Sequence, residues 1–275
     1  TWLAGESFEA QLAYWRERLA GLPERLDLPT DRPRPAVARY QGARVELPMA
    51  PDLLGIAEAA AKAAGVTPFM WLMAAFQALL HRWSGHDDLA VGVPIAGRRT
   101  QALEPLVGFF VNTLVLRADF SEGPTFAAFV DRVKAGCLDA YAHQDLPFEK
   151  LVEELNPARS LGWHPLFQVL FVLQEPQATA TLGGTPLVPV PLAARQSRFD
   201  LALELLPGPD GLAARVEYDR DLFDAGTIER LLAQLGTLVR AAAAAPATPV
   251  AALPLLDDAD RIELAAWNAT DAPFD

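Results

Sequence analysis

The sequence predicts an α/β fold, a mixed β-sheet flanked by helices, on three observations. Segments with apolar residues at helical spacing alternate with short apolar runs of strand length. Two such runs, 199–205 and 212–218, are joined by Pro207-Gly208-Pro209-Asp210-Gly211, turn chemistry that adds an antiparallel hairpin. The third observation is the run Val107-Gly108-Phe109-Phe110-Val111-Asn112-Thr113-Leu114-Val115-Leu116-Arg117, apolar nearly throughout and opening after Pro105. Such a run reads as a central strand covered on both faces, with the other elements arranged around it.

In chain order, Phe8, Leu12, Trp15 and Leu19 recur at helical spacing in 7–19, with Ser7 as N-cap and Gly21 as stop. Pro29, Pro33 and Pro35 make 28–35 an extended linker, since each fixes φ and removes a donor. A short strand over 43–47 leads to a helix over 51–64, ended by Gly65. Thr67 caps the next helix and Pro68 takes its first position; 69–83 is apolar nearly all round, as a buried helix is, and Gly85 ends it. Residues 89–95 read as an interior strand followed by the basic turn Gly97-Arg98-Arg99.

Beyond 117, Pro124 starts a helix with Phe126, Val130, Val133, Cys137 and Tyr141 on one face, so Cys137 reads as a buried, inert thiol. His143 stops that helix, Pro147 begins another, and a strand over 166–173 follows the turn-rich 156–165. The Ala-, Thr- and Gly-rich 174–184 reads as a mobile loop and 187–192 as a proline-broken strand. Leu201, Leu203 and Leu205 alternate with Ala202 and Glu204 as in a half-buried hairpin; Asp224 then caps a long helix carrying Ile228, Leu231, Leu232, Leu235 and Val239 on one face. Residues 1–245 form the domain, and the Ala- and Pro-rich 246–275, with a short helical pattern over 257–267, reads as an interdomain linker outside the core.

With 275 residues and 51% hydrophobic content the chain can bury a sizeable core. Acidic residues outnumber basic ones 35 to 23 and no Lys or Arg run occurs, so no nucleic acid is expected as a partner. One cysteine allows neither an internal disulfide nor a cysteine-rich metal site and fits a reducing compartment, the cytoplasm. No apolar stretch approaches the roughly 20 residues of a bilayer span, so no membrane is expected. The opening residues lack an initiator Met and read as a chain entered part-way.

Residue chemistry alone points to no catalytic machinery. His81, His86, His143 and His164 stand apart at no metal-binding spacing, so no metal site is expected, and there is neither a phosphate loop nor a Gly-x-Ser-x-Gly elbow. His81, a helical turn from Gln77, reads as structural; His143 reads as a helix C-terminal cap. Asp200 reads as an ion-pair partner of Arg198. Asn112, inside an apolar run, must be hydrogen-bonded in the interior or line a cavity, because an unpaired buried amide costs roughly 1–3 kcal/mol.

Several motifs in sequence order add a resemblance. Tyr14-Trp15, residues 107–114, His143-Gln144-Asp145-Leu146-Pro147-Phe148-Glu149, Pro165-Leu166-Phe167-Gln168-Val169 and Arg198-Phe199-Asp200-Leu201 resemble the carboxy-terminal half of a nonribosomal peptide synthetase condensation domain. Leu253-Pro254-Leu255-Leu256 and Trp267-Asn268-Ala269-Thr270 look like the linker into a following adenylation domain. The resemblance implies one of two chloramphenicol acetyltransferase-like lobes that enclose a tunnel. In the family, a His-His-x-x-x-Asp-Gly motif on the other lobe handles the acceptor amine, and no His-His pair occurs in this sequence. A lone lobe is therefore expected to be inactive, with no catalytic residue of its own.

The resemblance further implies that Gly108, Phe110, Asn112, Gln168, Arg198 and Asp200 lie along the tunnel or on its acceptor side, and that 174–184 lies near a lobe-bridging latch. The expected partners are the amino-terminal lobe, peptidyl and aminoacyl carrier domains and a downstream adenylation domain. No cofactor is expected on the chain itself; phosphopantetheine comes with the carriers. The form of 107–114 and 166–171 favours condensation over epimerisation or heterocyclisation, while Ser160-Leu161-Gly162-Trp163-His164 departs from the family's Ser-Arg pair and leaves the subtype open. The alternatives are a non-catalytic carrier-docking module and a free acetyltransferase acting as an oligomer. An isolated lobe with an apolar inner wall is also expected to self-associate.

Overall fold

The computed structural model describes residues 5–98, 100–157, 160–175, 181–187, 190 and 195–270. Its helices are α1 (Glu6–Arg18), α2 (Leu53–Ala63), α3 (Pro68–Ser84), α4 (Phe126–Ala142), α5 (Phe148–Leu155), α6 (Ala225–Ala244) and α7 (Asp258–Asn268). Its strands are β1 (Gly42–Pro48), β2 (Asp88–Ile95), β3 (Asn112–Asp119), β4 (Val169–Leu173), β5 (Thr181–Leu182), β6 (Thr185–Pro186), β7 (Leu201–Gly208) and β8 (Gly211–Asp219). Six strands form one sheet in the order β1-β8-β7-β4-β2-β3, and β5 and β6 pair separately. Within the large sheet β4 runs parallel to β2 and β7, and the other pairs are antiparallel.

The core lies between this sheet and a helical layer in which α3 packs against α2, α4 and α6, with α4 reaching β3 and α6 reaching β1. Thr67 Oγ1 accepts from Met70 N at 3.2 Å, and every residue from Met70 to Leu80 is buried. Gly85 ends α3 with a left-handed φ of 71° that a side chain would strain. The 201–205 alternation appears as expected, with Leu201, Leu203 and Leu205 in the core. Cys137 is also buried there, and desolvation pushes its thiol up to about 12, far from nucleophilic. Among the described residues no single helix is long and apolar enough to cross a membrane.

Several local readings are corrected. The run over 107–117 is not a central strand: β3 starts only at Asn112, opposite Ile95, and stands at the sheet edge. β2 ends at Ile95, so residues before 112 have no strand to pair with, however apolar they are. The edge is instead closed by side chains. Arg117 Nη1 donates to the carbonyls of Arg18 (3.0 Å) and Ala20 (2.7 Å), and Arg18 Nη2 returns a bond to Arg117 O at 3.0 Å.

Gly5, not Ser7, is the N-cap of α1. Asp224 occupies the N-cap position of α6, but its carboxylate pairs with Arg32 and makes no cap bond, while Asp31 Oδ2 accepts from Asp224 N at 2.7 Å. The 28–35 segment, free of helix and strand as expected of a linker, is also fastened to the body as a strap, with Asp31 N bonded to Leu222 O at 2.8 Å. β4 begins at Val169, since Leu166 adopts φ 67° and breaks the extension. Residues 246–253 belong to the core: Val250 and Leu253 are buried, and Phe126 N donates to Thr248 O at 2.9 Å. α7 buries none of its residues. Of the loop expected over 174–184, residues 176–180 lie outside the described residues and Thr181–Leu182 forms β5, paired with β6; of the strand expected over 187–192 only 187 and 190 are described.

Candidate functional site

The connection from β2 to β3 folds on itself. Gly97 has φ 64°, and a Cβ there would collide with the carbonyl oxygen of Phe110, so only glycine lets the outgoing and returning chain meet. The Arg98 guanidinium lies 4.2 Å from the centroid of the Phe110 ring, and its Nη1 donates to the carbonyls of Leu103 and Glu104. Gly108 leaves room on the other side, where a Cβ would stand 3.1 Å from Phe110 Cε2. Phe110 is therefore tucked in and half-buried. Its neighbour Phe109 is 86% exposed, Val107 is fully exposed, and Leu106 and Val111 are each about half exposed.

Asn112 closes this loop. Its Nδ2 donates to Gln144 O and Leu146 O, both at 2.9 Å, and its Oδ1 accepts from Phe148 N at 2.9 Å. The amide is spent on backbone groups, the first of the two environments open to it. It ties the start of β3 to the turn between α4 and α5. Gln11 Oε1 holds the same turn from α1, accepting from Asp145 N and Leu146 N at 3.1 Å. Trp15 Nε1 donates to His143 O at 2.9 Å, and Tyr14 stacks on the His143 ring at 3.9 Å. Residues 14–15, 107–114 and 143–149, far apart in sequence, thus meet in one place.

A second cluster lies where the strap crosses β4 and β7. Arg34 grips Asp200 with both guanidinium arms, Nη1 to Oδ1 at 2.9 Å and Nη2 to Oδ2. This corrects the expected Asp200–Arg198 pair. Arg198 is exposed, whereas Asp200 is buried against the strap, and burial pushes its carboxyl above the ordinary range against the pull of Arg34. Buried Gln168 accepts from Leu26 N at 2.7 Å through Oε1 and donates to His164 O at 2.8 Å. His164 sits among Phe148, Phe167 and Phe199, and burial lowers its pKa, favouring the neutral ring.

Of the six residues singled out in the sequence, Gly108, Phe110 and Asn112 come together in the loop. Gln168 and Asp200 lie in the second cluster, and Arg198 stands exposed near it. Sequence reading missed Arg34 and Arg98. Arg34 is 166 residues from its partner and no local signal marks it; Arg98 stood in a recognised basic turn, but nothing marked the ring it would cover. Among the described residues no group of three His, Cys, Asp or Glu side chains is gathered as a metal would require. What the loop offers is apolar surface on a rigid base, suited to contact rather than to proton transfer.

The chain is similar to known proteins in sequence and in fold. A linear gramicidin synthase polypeptide of Brevibacillus parabrevis is 45% identical over 99% of this chain, which spans only 4% of that relative's length. A holo four-domain nonribosomal peptide synthetase superposes with TM-score 0.84 at 26% identity, over 92% of this chain and 20% of the other. The X-domain from teicoplanin biosynthesis superposes with TM-score 0.83 at 29% identity, over 92% of this chain and 58% of that one. The fold is that of condensation domains, chloramphenicol acetyltransferase-like. The family model described as Condensation domain matches residues 1–265, and the chain belongs to the condensation domain family of nonribosomal peptide synthetases.

Proposed function

We propose that this chain is the carboxy-terminal lobe of a condensation domain and forms one wall of a chamber in which a carrier-bound acyl or peptidyl thioester is joined to an aminoacyl thioester. The observation that carries the reading is the exposed apolar loop over 106–111, which displays Val107 and Phe109 from a braced base. Two facts support it: the chain spans 58% of the X-domain it superposes on, and its 275 residues hold no His-His pair. The reaction needs positioning and proton transfer from the opposite wall, so the lobe alone is inactive. In this reading Asn112, Gln168 and the Arg34–Asp200 pair shape the wall, and Phe110 and Gly108 set the loop on it. The partners are the amino-terminal lobe, two carrier domains that bring the phosphopantetheine arm, and an adenylation domain after α7, all in the cytoplasm.

The test mixes this chain with a separately made amino-terminal lobe and carrier-loaded substrates. Amide formation that requires both polypeptides is the expected result. Carrier binding without turnover would make the chain a docking module, and turnover by this chain alone would overturn the reading.

A further inference from the structure

We infer that Arg98 is a positioning residue: it holds the 97–112 loop in the shape that turns Phe109 and Val107 toward the facing lobe. The inference rests on the proposed reading that 106–111 meets that lobe. One side chain reaches three points of this loop. The guanidinium plane covers the Phe110 ring at 4.2 Å, while Nη1 grips two successive carbonyls, Leu103 and Glu104, at the end of the 3-10 turn Gln101–Leu103. Those carbonyls sit on the outgoing arm and Phe110 on the returning arm, so Arg98 joins the two.

The consecutive phenylalanines consequently have opposite fates. Phe110 is half-buried under the Arg98 guanidinium, while Phe109 beside it is 86% exposed. Gly97 and Gly108 make the anchoring possible by leaving no side chain on either side of Phe110. Beyond Phe110 the loop is fixed again by the three bonds of Asn112. Among the described residues of 98–111, the backbone bonds that remain without Arg98 are turn bonds, Leu103 N to Thr100 O at 2.9 Å, Glu104 N to Gln101 O at 3.2 Å and Leu106 N to Leu103 O at 3.3 Å. An apolar surface that must be ordered at the moment of contact binds less tightly than one already in place.

Two measurements test this. In the 275-residue chain, amide hydrogen exchange at Leu103, Glu104 and Leu106 should speed up by roughly tenfold or more in Arg98→Ala, with α3 and β2 unchanged. In the same chain fused behind an amino-terminal lobe, Phe109→Ser should lower amide formation about thirtyfold, the scale of an interface hot spot. Arg98→Ala should lower it roughly tenfold, Arg98→Lys should recover part of the loss, and the double variant should be no worse than Phe109→Ser alone. Unchanged exchange in Arg98→Ala overturns the inference, as does a harmful Phe109→Ser beside a silent Arg98→Ala. A silent Phe109→Ser sinks the underlying reading of the loop, and the positioning role falls with it.

Discussion

Residues 106–111 and 112–116 form one apolar stretch with two opposite fates. In the second part Leu114, Val115 and Leu116 are each at most 5% exposed, paired to β2 and covered by the helical layer through α4. In the first part Val107 and Phe109 stand in solvent. The boundary falls at Asn112, where β2 runs out of residues to pair, and an amide that bonds three backbone groups marks it. Apolar composition records what a segment gains by being covered, and the neighbouring chain decides whether the cover comes from within. Where it does not, a large exposed apolar display is the ordinary mark of a contact surface.

The contrast can be broken by substitution. Leu114→Ala, in the covered part, should cost about 2–5 kcal/mol through lost burial and a residual cavity, read by urea unfolding; a loss below 1 kcal/mol would mean this part is not core. Asn112→Ala, at the boundary, should cost roughly 2 kcal/mol by stranding two carbonyls and an amide N–H, and should raise exchange at Phe148 N. Protection at Phe148 that survives the change would show that Asn112 is no clamp. Gly97→Ala should cost about 1–2 kcal/mol from its left-handed backbone, and it should loosen the loop because Phe110 can no longer close on residue 97. Phe109→Ser, in the displayed part, should change stability by no more than about 0.5 kcal/mol while abolishing any self-association seen by light scattering. A large drop in melting temperature would place Phe109 in a core after all.

Elements whose own residues carry both a pattern and its ends were legible. α3 has its Thr67 cap, Pro68 start and Gly85 stop, and the β7–β8 hairpin has its alternation and turn. Residues whose partner is distant were not. Asp200 has Arg198 two positions away yet pairs with Arg34, because the strap brings a planar guanidinium into a place where a buried carboxylate needs two bonds. Asp224 was legible as a helix start, but its carboxylate makes no cap bond, and its own N–H is held by Asp31, 193 residues earlier. The tail from 246 to 253 looked like a linker because Ala and Pro show no periodicity, although Val250 and Leu253 are buried and Arg82 holds their carbonyls.

The sequence by itself determined the alternation of helices and strands, the buried character of α3 and the order of motifs that the family shares, since these depend on residues within a few positions of one another. Sheet order, the edge position of β3, the exposure of Phe109 and the pairing of Arg34 with Asp200 were decided only by the folded chain. Each is a relation between segments many residues apart, and periodicity within one segment says which face is apolar, not what lies against it.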